Sequence, residues 1–94
     1  MGALTRYMGR LIGEAEGTYM AGTPSQKEIE RLTALKESTA QGLEKAVADP
    51  GLAEVGGVNR EHLSAIADLV RSADLSNKAG LTAFLSDYKR ITPA

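Results

Sequence analysis

The sequence contains no cysteine and no tryptophan, a single histidine and a single phenylalanine, and its 11 basic side chains are balanced by 12 acidic ones. Without cysteine there is no disulfide framework, no thiolate nucleophile and no thiolate metal site. Small secreted domains usually lean on such staples, so a reducing, cytoplasmic setting is the expectation. One histidine and no HExxH pattern leave no constellation for zinc, and no cofactor motif replaces it. The near-neutral balance argues against a partner recognised mainly through charge. No apolar run approaches the roughly 18 residues of a membrane-spanning helix. Arg6 and Arg10 precede only Leu11-Ile12 before Gly13-Glu14 breaks the run, which is not the pattern of a secretory leader.

What remains is 94 residues, the size of one domain. Of its 40 apolar residues, 14 are alanine and only 26 are larger, so any core is thin. Those apolar residues recur with helical spacing. Leu4, Tyr7, Met8, Leu11, Ile12, Ala15 and Tyr19 follow the i, i+3, i+4, i+7 pattern and predict a helix from Ala3 to Met20. Gly9, Gly13 and Gly17 fall on the opposite side of it, each about 1 kcal/mol worse than alanine in a helix. This segment is patterned as a helix and built as a weak one, so tertiary or partner contacts must hold it.

Gly22 and Pro24 end that helix. Ser25-Gln26-Lys27-Glu28 reads as a capping box opening a second helix that runs to about Ala48. Its stripe is Ile29, Leu32, Thr39, Ala40, Leu43, Ala46 and Val47, with Lys36 lying along it. Asp49-Pro50-Gly51 is a turn signal, and Leu52 to Val58, with Gly56-Gly57, reads as a loop. Asn59 is a good N-cap for a third helix, with Val58 and Leu63 as its hydrophobic staple and Leu63, Ile66, Ala67 and Val70 as its stripe. A fourth helix from about Asn77 to Arg90 carries Leu81, Phe84, Leu85 and Tyr88. The seven-residue spacing across 63–91 also fits one long helix. Asp74 and Asn77 at the centre of that seam favour a break there. No run alternates with period 2, so the expected fold is all-α, a small bundle or orthogonal array of about four helices. It forms a single helical domain over 1–94, with 24–91 as helical core and 1–22 as a weak amphipathic helix suited to a docking arm.

Candidate chemistry is sparse. His62 beside Glu61 near a helix start suits a general base only with an orienting carboxylate and a substrate contact, and reads more simply as a polar first turn. Glu14 with Glu16, and Glu28 with Glu30, are two apart and point to different helix faces, so neither pair chelates. Gly56-Gly57 before a helix lacks the lysine and the strand of a phosphate loop. Residues 59–90 fit the helix-turn-helix outline, with Ser76, Asn77, Lys78, Thr82 and Ser86 as contact candidates. The basic residues there are scattered among acidic ones, which disfavours DNA. The Gly9, Gly13, Gly17 series fits a weak, fraying helix, a surface approached closely by a partner or a second copy, or a helix lying on a membrane. The last is disfavoured by two acidic residues offsetting two basic ones and by the absence of Trp or Phe. The expectation is a non-enzymatic interaction protein, with no catalytic residue, cofactor or metal. It would bind a protein partner, or itself as a homodimer, by laying Leu4, Tyr7, Met8, Leu11 and Ile12 into a groove.

Overall fold

The structure, a computed structural model, describes residues 3–49 and 60–91, with side chains from Arg6 onward. Four helices and no strand lie among the described residues: α1 (Ala3–Met20), α2 (Gln26–Ala48), α3 (Arg60–Ser72) and α4 (Lys78–Ile91). The all-α expectation holds, and so does the break between the last two helices. The loop at 52–58, the Asn59 cap with its Val58–Leu63 staple, Pro50-Gly51 and the Thr92-Pro93 stop lie outside the described residues.

Each helix forms where its pattern says and for a visible reason. At the start of α2 the Ser25 hydroxyl accepts from the Glu28 amide at 3.2 Å, while the Ser25 amide donates to Glu28 Oε1 at 3.2 Å, completing the capping box. The stripe of α2 then turns inward, and Leu32, Thr39, Ala40, Leu43 and Ala46 are buried. Thr39 is the sole polar residue there among the described residues, and its hydroxyl donates to the Leu35 carbonyl at 2.7 Å, so no polar atom of it is orphaned.

Helix α2 is the spine. It packs most extensively against α3 and also carries α1, while α4 packs on α3 and touches α1. One cluster results, whose largest fully buried members are Phe84, Met8, Leu11, Leu43, Ile66 and Val70. Phe84 stacks on Tyr88 one turn later, with ring centroids 6.4 Å apart and an interplanar angle of 22°.

Polar contacts bridge α2 and α3 from outside. Arg71 spans two acids of α2 seven residues apart. Its Nε and Nη2 reach the Glu44 carboxylate at 2.8 and 2.7 Å, and its Nη1 reaches both oxygens of Glu37 at 2.8 and 2.7 Å. The Arg71 hydrogen bonds hold both carboxyls below the ordinary glutamate value, and the same bonds push the guanidinium pKa up. Because the folded carboxyl pKa values are lowered, this contribution is present above the ordinary carboxylate range and is lost as pH falls through the lowered values. Lys36, the one charge along the apolar stripe of α2, snorkels to the end of α3, where its Nζ donates to the Ala73 carbonyl at 2.7 Å. There it satisfies a carbonyl that the helix leaves open and sits at the negative end of the α3 dipole.

The α3–α4 turn explains why the heptad spacing does not give one helix. Asp74 accepts from the Ser76 amide at 3.0 Å, from the Ser76 hydroxyl and from the Asn77 amide side chain at 3.1 Å. Asn77 Oδ1 then accepts from the Gly80 amide at 2.7 Å as the N-cap of α4. The two polar residues on the seam serve as turn and cap.

Replacing Phe84 by alanine empties the centre of this cluster. The expected loss is about 3–5 kcal/mol in chemical denaturation. A change under about 0.5 kcal/mol, the scale of surface substitutions, would show that the ring is not buried.

Candidate interaction surface

Helix α1 carries the five residues singled out for partner recognition, and the structure places them on the chain itself. Met8 and Leu11 are fully buried, and Ile12 packs against the same cluster. Tyr7 lies at the rim, 37% exposed. Leu4 lies outside the described side chains. In this state the apolar face of α1 fills a groove of its own protein, so Met8 and Leu11 are not open to a partner.

The groove has features built for this helix. Gly42 of α2 sits beneath the Tyr7 ring, and a Cβ there would come within 2.6 Å of Tyr7 Cζ. The missing side chain is therefore the notch that accepts the ring. At the other end of α1, the Tyr19 hydroxyl donates to the Leu75 carbonyl at 2.7 Å, tying α1 to the α3–α4 turn. Burial of that phenol, then the nearby Asp74 charge, pushes its pKa up. Between the two tyrosines Met8, Leu11 and Ala15 form the buried line.

The opposite face of α1 is lined by glycine. Gly9, Gly13 and Gly17 are exposed, and a Cβ added at any of them would meet nothing within 4 Å. Arg6, Arg10, Glu14 and Glu16 flank them, and Met20 is 86% exposed. Gly80 is the contrasting case. Its Cβ would lie 1.9 Å from the Asp74 carbonyl oxygen, so the turn closes only without a side chain there. Packing among the described residues thus requires Gly80 and makes use of Gly42, whereas it makes no use of the three glycines of α1.

The other candidates are dispersed. Ser76 and Asn77 are engaged in the turn, whereas Lys78, Thr82 and Ser86 are exposed on α4, with the Thr82 hydroxyl donating to the Lys78 carbonyl at 3.0 Å. Acidic groups attend the basic ones: Glu16 shares a cleft with Lys78, and Asp87 is paired with Arg90. His62 is half-buried in the first turn of α3, beside Glu61. Among the described residues no group of three His, Asp or Glu side chains gathers as a metal site, and no helix is long and apolar enough to cross a membrane. Family models, curated proteins and solved structures give no match to this chain.

Sequence pattern locates α1, its stripe and its glycines. It does not locate the Gly42 notch or the Tyr19 hydrogen bond, because both join residues far apart in the chain. The available signal was a glycine inside the α2 pattern next to Leu43, a position where close approach is the usual explanation.

The glycines separate cleanly by substitution. Gly13→Ala is expected to stabilise the protein by about 1 kcal/mol through helix propensity alone. Gly80→Ala is expected to destabilise it by roughly 1–3 kcal/mol or more, since backbone must move. Thermal midpoints shifting in the same direction for both variants would contradict this assignment.

Proposed function

We propose that this protein is a non-enzymatic protein–protein interaction module, a regulator, inhibitor, chaperone or assembly component, that works through the amphipathic helix α1. The residues we assign to binding are Leu4, Tyr7, Met8, Leu11 and Ile12, which dock as an apolar helical stripe into a groove. The absence of cysteine supports a reducing, cytoplasmic setting.

One observation carries the reading. Three glycines in register weaken α1 by about 3 kcal/mol in total relative to alanine, and no contact among the described residues requires them. A helix needed only as core would be better served by alanine at all three positions. A helix that must leave its groove, or be approached closely from outside, is served by glycine. The helix-turn-helix reading of residues 59–90 has less behind it, since two of its contact candidates are engaged in the turn and acids stand beside Lys78 and Arg90.

The test compares the native chain with the Gly9→Ala/Gly13→Ala/Gly17→Ala variant, each tagged and used to capture proteins from the host lysate. The variant is expected to melt at a higher temperature and to lose the captured partner. Equal capture by both chains would contradict the reading. Binding of duplex DNA that weakens steeply with salt would favour the helix-turn-helix alternative instead.

A further inference from the structure

The groove that holds α1 states the chemistry of what it accepts. It takes an amphipathic helix with an aromatic ring over Gly42, a line of Met, Leu and Ala, and a tyrosine hydroxyl three turns on that reaches the Leu75 carbonyl. Among the described helices α1 carries that pattern, and every copy of the chain supplies another. We propose that α1 is exchangeable, and that the groove on α2 and α4 takes the α1 of a second copy, giving a dimer by reciprocal exchange of residues 3–20. The proposal rests on reading α1 as the interacting helix.

The hinge supports it. Residues 21–25 join α1 to α2, and Gly22 has φ +122°, a backbone region that side-chain-bearing residues rarely adopt. The closed turn therefore depends on glycine. Thr23 precedes Pro24, which biases it toward extended backbone. The closed and exchanged forms share every helix–helix contact and differ in the hinge and in the entropy of bringing two chains together. Strain placed in the closed turn thus moves the equilibrium toward the dimer, and the weak α1 helix lowers the barrier to leaving the groove.

The cysteine-free chain makes the test clean. A Glu16→Cys chain and a Lys78→Cys chain, each with one thiol at an exposed position of the cleft that α1 and α4 share, are mixed, unfolded, refolded together at high concentration and treated with a short bis-maleimide cross-linker. Light scattering follows the mass of the native chain and of Gly22→Val over a wide concentration range. The expected results are a concentration-dependent dimer, cross-links joining the two different chains, and a dimerisation constant for Gly22→Val raised by roughly tenfold or more as both hinges shed strain. If Gly22→Val does not fold, the refolding and cross-linking of the native hinge decides alone. Chains that remain monomeric at every concentration overturn the exchange, and the interaction reading then stands or falls separately on the glycine variant. A dimer without the 16–78 cross-link also overturns it, since the copies then pair by another surface.

Discussion

Everything in this structure hangs on the buried stripe of α2. Leu32, Ala40, Leu43 and Ala46 form a floor on which α1 and α3 are laid, and α4 closes the cluster through Phe84. With only 26 large apolar side chains in the sequence, no second core is affordable. Alanines on the stripe let neighbouring helices come close, so a small number of Leu, Ile, Met and Phe residues fill the space between them. The polar clamps at Arg71 and Lys36 lie around that floor and join α2 to α3 and its C-terminal end; they do not replace it.

Helix α1 sits in tension with this arrangement. Its inner line is as well buried as any part of the core, yet its outer line is made of the residue that disfavours helix most after proline. Such a helix draws its stability almost wholly from the groove beneath it. In physical terms that couples helix formation to docking: away from its groove α1 is expected to lose its order, and on docking to regain it. The proposed protein partner and the proposed exchange with a second copy would both use that coupling.

The helices themselves were legible in the sequence because each carries local signals: the stripe and glycines of α1, the Ser25–Glu28 box, and the Asp74–Asn77 turn that interrupts an otherwise continuous seven-residue spacing. Lys36 stood out on an apolar stripe, and its role as cap for α3 became clear only once Ala73 was beside it. The same holds for Arg71 across Glu37 and Glu44, for Tyr7 over Gly42 and for Gly80 against Asp74. These contacts depend on how helices are placed, which periodicity does not encode. The residues proposed for binding show the same limit. A stripe reveals that Met8 and Leu11 must be buried but not by what, and the first answer given by the fold is the chain's own groove.

The central claim is that α1 is the least stable part of a shared core. Native-state hydrogen exchange measures this directly, helix by helix. The amides of α1 are expected to exchange through a partial opening well below the free energy that governs α2 and α3. Equal protection in all three helices, set by global unfolding alone, would contradict the claim and leave α1 as an ordinary element of the core.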